Sequence, residues 1–381
     1  MKTATTKRRI TKTATMRAVV GAAALVLSVA TLTGCSNGAG NGGGGGGGTG
    51  DASKAKIGLL LPDSVTARYA SADKPLFTAE VKSKCPGCSV VYANADGDAS
   101  KQLQQAQSML TQGVKVLVLD PFDGEAAASI VQQAKQKNVP VISYDRLIDS
   151  ADLSYYISFD NEKVGELQGT ALVAALKAKN VAEGSGIIMV NGSPTDNNAS
   201  QFKAGAHKVI DASGYKVLAE YDTPGWDPAK AQDWAAGQIS KLGADKITGV
   251  YAANDDTGGG VIAALKSAGV KKLPPVTGQD ASLAGIQRIL SGEQYMTVYK
   301  AFKPEASQAA DLAIQLAQGK KPAADTTVKT AGGASIKSFL LDPVAVTTAN
   351  IESTVIKDGL YTASQVCTSE YASACSSNGI K

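Results

Sequence analysis

The residues best equipped for chemistry are Arg68, Tyr69, Asp145, Arg146, Asp196, Asn198, Trp226, Asn254, Asp280 and Lys300. Each falls at or after a short apolar run. Arg68 and Tyr69 come after Lys56–Leu61, and Asp145 and Arg146 follow 139–144. Asp196, Asn197 and Asn198 come after Gly186–Asn191, and Trp226 after 216–221. Asn254 and Asp255 follow 249–253, Asp280 follows 276–278, and Lys300 ends the run 296–299. Carboxylates accept hydrogen bonds, carboxamides both accept and donate, and Arg and Lys only donate. Charge-assisted bonds to a neutral, desolvated ligand are the strong ones. Tyr69 and Trp226 add flat apolar faces with a polar edge. A sugar has the complementary chemistry: hydroxyls that donate and accept, around a ring with apolar C–H patches. Singly, the residues have plainer readings. Asp255 and Asp280 could cap helices, Arg68 could be a solvated charge, Trp226 could be core, and Asp145 with Arg146 could be an ion pair. Their joint placement at strand ends favours a site.

The elements that must hold them alternate. Lys56–Leu61, 89–93, Val116–Leu119, 139–144 and Tyr155–Phe159 read as strands, with helical spacing in 100–112 and 124–137 between them. A second cycle places strands at Gly186–Asn191, 216–221, 249–253, 276–278 and 296–299, with helices such as Pro228–Leu242 and 257–268. Strand–helix alternation predicts parallel sheets covered on both faces, and two cycles predict two α/β lobes. In such sheets ligands bind beyond the carboxyl ends of the strands, so facing lobes would bring the ten residues to one cleft.

Catalytic constellations are missing. His207 is the sole histidine and sits in an expected helix, 199–212, as a surface or packing residue. No Ser/His/Asp set or metal-ligand spacing accompanies it. Paired carboxylates bring a glycosidase into view only as the weaker reading. Gly258–Gly260 lacks the Lys-Ser/Thr ending of a phosphate loop and the spacing of a dinucleotide fingerprint. The chain therefore reads as a non-enzyme without cofactor or metal.

The first 34 residues carry six basic and no acidic residues, and 18–32 is a short apolar run, the pattern of a signal peptide. Leu32-Thr33-Gly34-Cys35 then matches a lipobox, with Cys35 as the lipidated residue. Residues 35–53, with seven consecutive glycines at 42–48, read as a flexible tether. Without the leader, the 38 basic residues fall to 32 against 34 acidic ones, a net charge of −2, so no nucleic-acid face is indicated. In an exported chain, Cys85 with Cys88 and Cys367 with Cys375 read as disulfides.

The stretch Tyr155-Tyr156-Ile157-Ser158-Phe159-Asp160-Asn161-Glu162 resembles the periplasmic sugar-binding proteins of the ribose/xylose type. So do Gly192-Ser193-Pro194-Thr195-Asp196-Asn197-Asn198, Asn254-Asp255, Gly278-Gln279-Asp280 and Met296-Thr297-Val298-Tyr299-Lys300. The resemblance covers roughly 56–362. It implies a type I periplasmic binding protein fold: two Rossmann-like lobes joined by three crossover strands, with ligand in the cleft between them. The crossings are expected near Asp160, Ala301 and Leu341. That gives an N-terminal lobe of 54–160 plus 301–341, a C-terminal lobe of 161–300 plus 342–366, and a tail, 367–381. The resemblance also implies a monomer that binds a monosaccharide, D-xylose first, and delivers it to an ABC permease. Glucose or galactose is the alternative sugar, and a chemoreceptor or sensor kinase the alternative partner. Arg68, Asp145, Arg146, Asp196, Asn198, Asn254, Asp280 and Lys300 match sugar hydrogen-bonding positions, and Trp226 an aromatic wall. Tyr69 stands where xylose binders of this family carry Trp.

Overall fold

The computed structural model describes residues 52–380. The expected leader, Cys35 and the glycine run lie outside the described residues. Among the described residues, no helix is long and apolar enough to cross a membrane.

One sheet contains seven strands: β1 (Lys56–Leu61), β2 (Ser89–Asn94), β3 (Val116–Leu119), β4 (Val141–Tyr144), β5 (Tyr155–Phe159), β10 (Thr326–Lys329) and β11 (Ser335–Leu341). Their order is β10-β11-β5-β4-β3-β1-β2, and only the β10–β11 pair is antiparallel. Near-continuous apolar runs such as Val-Leu-Val-Leu in β3 suit a parallel sheet buried on both faces. In β1, Ile57, Leu59 and Leu61 meet Phe77 and Val81 of the helix Lys74–Lys84 and Ala306 and Ala310 of Phe302–Ala317. Leu60 points the other way, onto the cluster of Met109, Leu110, Ile130 and Val131. Each such fully buried side chain contributes about 1.5–3 kcal/mol, so the strand's period of two fastens helices to both faces.

The second sheet is built from β6 (Gly186–Asn191), β7 (Lys216–Asp222) and β8 (Ile247–Ala252), in the parallel order β7-β6-β8. Phe202 and Leu172 pack on one face with Ile187 and Met189, and Ala235 and Leu265 on the other with Ile188 and Val190. β9 (Thr297–Tyr299) pairs antiparallel with β12 (Val344–Val346). The strand expected at 276–278 is reduced to a single bridge, Val250 to Val276. It nonetheless connects the two sets, because Thr277 N donates to Val250 O and Val298 N to Gly278 O.

The chain passes from the first sheet to the second after β5, returns after β9, and crosses again after β11. Asp160 N donates to Leu341 O at 3.0 Å, tying the first and third crossings together. Both cysteine pairs are bonded: Cys85 to Cys88 after the helix Lys74–Lys84, and Cys367 to Cys375 near the C-terminus. Within 367–380, Cys375 and Ile380 are buried with Val366, Ile286, Tyr299 and Ala281.

Candidate ligand-binding site

All ten residues singled out at the strand ends line one cavity, together with Thr66, Phe202 and Gln279.

Beyond β1, Asp63 turns the chain by accepting from Val65 N at 3.0 Å and Thr66 N at 2.8 Å. The turn delivers Arg68 inward, where it is buried. Its Nε and Nη2 form a fork on Asp73 at 2.8 and 2.7 Å, and Nη2 also reaches Glu305 Oε2 at 2.7 Å. Its Cζ lies 4.2 Å from the Phe302 ring centroid. With those groups fixing the plane, Nη1 faces Asp145 Oδ1 at 3.0 Å. Arg68 is thus a positioned cation, not a solvated one.

Asp145 ends β4 with φ +54 and is anchored by its N–H on Ile157 O. It does not pair with its neighbour Arg146. Its carboxylate instead takes Arg68 and, at 3.2 Å, Lys300 Nζ. Burial alone would push this carboxyl up, but Arg68, Lys300 and Arg146 outweigh it and hold it well below the usual range. Arg146 reaches across to the second sheet's side, with Nε 3.0 Å from Asp196 Oδ2. Its Nη2 donates to the Tyr69 hydroxyl at 2.9 Å. Burial pushes the Tyr69 phenol well up, so it stays neutral.

Asp196 caps the helix Asn197–Ile210 through Asn198 N at 2.9 Å, and its Oδ2 also accepts Trp226 Nε1 at 3.0 Å. Trp226 follows Gly225, and both have positive φ, +56 and +68. A Cβ on Gly192 would lie 2.0 Å from the Trp226 ring, so only glycine leaves room for the indole. Phe202 meets the indole edge-on at 6.3 Å. Asn198 Nδ2 donates to Asp145 O at 2.8 Å, and its Oδ1 accepts the Tyr156 hydroxyl at 3.2 Å.

Two helix caps differ from the sequence expectation. Asn254, not Asp255, caps the helix Asp255–Ser267, in a capping box with Thr257. Ser282, not Asp280, caps Leu283–Leu290. Both capping residues sit one residue outside their helices, and the acids are left for other contacts. Asp280 has φ +85, a conformation costing a non-glycine residue about 1–3 kcal/mol. Its Oδ1 lies 3.5 Å from Lys300 Nζ and 3.9 Å from Arg68 Nη1, and is buried without a hydrogen-bond partner. Gln279 Oε1 shares that condition. The lining therefore carries three cations, Arg68, Arg146 and Lys300, against three carboxylates, Asp145, Asp196 and Asp280. A neutral, polyhydroxylated guest matches this balance, because a net charge would be desolvated without a counter-charge.

Thr66, Phe202 and Gln279 escaped the sequence reading, as did Asp73, Asp120 and Glu305 behind the lining. Asp120 directly follows β3 and obeys the same strand-end rule. Phe202 lies one helical turn beyond Asn198 and reads as ordinary core. Glu305 lies within a helix after the second crossing and carries no local signal. Among the described residues no group of His, Cys, Asp and Glu could hold a metal ion.

Residues 57–321 match the family model described as the periplasmic binding protein domain. The chain is 40% identical over 319 residues to the D-xylose-binding periplasmic protein of Escherichia coli K12, covering 83% of this chain and 93% of that one. The protein of the same name from Haemophilus influenzae is 39% identical over 311 residues, covering 81% and 90%. The crystal structure of an ABC transporter solute-binding protein from Clostridium phytofermentans with bound β-D-glucose superposes with a TM-score of 0.73 at 30% identity, covering 82% of this chain and 99% of that one. Two α/β sheets linked by three crossings, with a polar cavity at their strand ends and a match over most of the length, place this chain in the periplasmic binding protein family, whose members are binding proteins and not enzymes.

Proposed function

We propose that the cavity binds a monosaccharide, D-xylose first, and that the protein hands it to the membrane subunits of an ABC importer. The observation that carries the reading is the charge-balanced lining, bounded by Tyr69, Phe202 and Trp226, in which Asp280 Oδ1 and Gln279 Oε1 are buried acceptors without partners. Ligand hydroxyls would fill both. The relatives named for D-xylose support the sugar class. Lobes of 54–160 plus 301–341 and 161–300 plus 342–366 would close on the sugar about the three crossings. A ligand bonded to both lobes stabilises the closed form because its full set of bonds exists only there. Attachment would run through lipidated Cys35, and the protein would act as a monomer.

Glucose or galactose is the second reading. It is favoured by Tyr69, whose hydroxyl is engaged by Arg146, and by the glucose-bound relative. Trp226→Ala and Asp280→Ala test the site: each should weaken sugar binding at least about tenfold, or 1.4 kcal/mol. If neither does, the site is elsewhere. Cys35→Ala should release the protein from membranes, and continued attachment would refute the lipid anchor.

A further inference from the structure

The Asp255 carboxylate is buried and does not line the cavity. Its Oδ2 accepts Ser282 N at 2.7 Å, and its Oδ1 accepts Gln294 Nε2 at 2.6 Å. Its own N–H donates to Gln279 O at 3.0 Å, and its carbonyl accepts Arg288 Nη2 at 2.5 Å. The same Gln294 amide also reaches Met296 O at 3.0 Å, at the entrance to β9. Gln279 to Ser282 is thus bonded at both ends to one residue. Between those ends lie Asp280 and Ala281, at φ +85 and +48, two consecutive residues in a conformation that side chains disfavour. Ala281 N is held by Thr297 Oγ1 at 3.1 Å. The backbone closes tightly around the carboxylate: a Cβ on Gly278 would come within 2.0 Å of Oδ1, and one on Gly285 within 2.2 Å of Oδ2.

We propose that Asp255 is the positioning residue for Asp280: its carboxylate is the template around which 278–282 bends, and so fixes where the Asp280 side chain meets the ligand. The inference rests on the sugar-binding reading for its ligand, but not for the bend. A strained pair of residues persists only when its surroundings over-determine it, and Asp255 supplies two of the bonds that do so. The carboxylate takes the Ser282 and Gln294 N–H groups and the Thr297 side chain, so a proton on Asp255 competes with this donor set.

Burial pushes Asp255 up to about 7, against the pull of Arg288 and its hydrogen bonds. Arg288 faces it from Leu283–Leu290, and Tyr361 interacts with it as well as with Asp256 and Asp280. Sugar affinity should therefore fall as pH drops below about 7, and this step should vanish in Asp255→Asn.

The test compares wild type, Asp255→Asn, Asp280→Asn and the double variant of the full chain. Hydrogen exchange reads the bend without any sugar. In Asp255→Asn the Ser282 and Ala281 amides should exchange about tenfold faster while the helix Pro228–Leu242 keeps its protection. Calorimetry with D-xylose should show a loss for Asp255→Asn of about tenfold that adds little to that of Asp280→Asn. Unchanged Ser282 exchange, or fully additive losses, would overturn the proposal. If wild type binds no monosaccharide, the functional reading fails, and the exchange result alone decides whether Asp255 holds the bend. If Asp255→Asn does not fold, the wild-type Ser282 amide shift followed by NMR takes its place. A titration near pH 7 supports the role, and a flat profile from pH 5.5 to 8.5 refutes it.

Discussion

Asp145 and Asp280 both face Arg68 and Lys300, yet their surroundings assign them different roles, and neutralising each in turn separates those roles. Asp145 is 3.0 Å from Arg68 Nη1 and 3.2 Å from Lys300 Nζ, with all three side chains almost wholly buried. Asp145→Asn removes a counter-charge shared by two buried cations, although Arg68 keeps Asp73 and Glu305. Breaking a buried pair in this way costs about 3–5 kcal/mol. Asp280 lies farther from the same cations, at 3.9 and 3.5 Å, and its Oδ1 has no hydrogen-bond partner. Asp280→Asn therefore should lower ligand-free stability less than Asp145→Asn does. It should nevertheless cost a charge-assisted bond to a ligand hydroxyl, about 1.5–3 kcal/mol, or roughly 10- to 150-fold in affinity. Urea unfolding without ligand and calorimetry with ligand read the two quantities. Equal destabilisation by both substitutions, or unchanged affinity in Asp280→Asn, would refute the division of roles. Asp145 also has a pH signature. Its folded value is depressed, so its contribution is complete above the ordinary carboxylate range and should be lost as pH falls below about 4.

Tyr69→Trp removes the hydroxyl that accepts from Arg146 and enlarges the ring face; the ratio of D-xylose to D-glucose affinity should rise, and an unchanged ratio would mean that Tyr69 does not set the sugar. Both carboxylate oxygens of Asp120 are buried without hydrogen-bond partners, and burial pushes its value well up. The folded state then holds a proton that the unfolded state releases, so stability falls as pH rises above about 4. Asp120→Asn should unfold at higher urea than wild type at pH 7, with a narrowing gap towards pH 4; equal midpoints at pH 7 would contradict this. Cys367 and Cys375 are separated by 8 residues. Replacing both with Ser should cost about 2–3 kcal/mol by the loop-closure relation, read as a lower urea midpoint; an unchanged midpoint would mean that the bridge adds nothing to the burial of Val366 and Ile380.

The sequence disclosed most where burial was two-sided. The bounds of β1, β3, β5 and β6 follow directly from their apolar runs, because a strand covered on both faces has no polar register to blur its ends. β10, β11 and β12 were not legible. Thr326–Lys329 is an exposed edge with little apolar character, and β12 is only three residues long. The helix expected at 124–137 begins later, at Ala128, because Asp123 holds Glu125 N and Ala126 N in a turn. At the cavity, the strand-end rule found side chains that leave the backbone at the sheet's edge. It could not find Glu305, which comes from a helix and acts through Arg68. Nor could it separate Asp255 from a helix cap, since both roles place an acid at a helix start; only the bonds to Ser282 and Gln294 distinguish them.

The central claim is that the balanced cavity takes a neutral monosaccharide. Titration calorimetry of the purified protein against D-xylose, D-glucose, D-galactose and D-ribose tests it most directly. Binding of at least one aldose at micromolar strength, about −8 kcal/mol, with D-xylose among the tightest, is the predicted result. No heat from any of the four at millimolar concentration would contradict it.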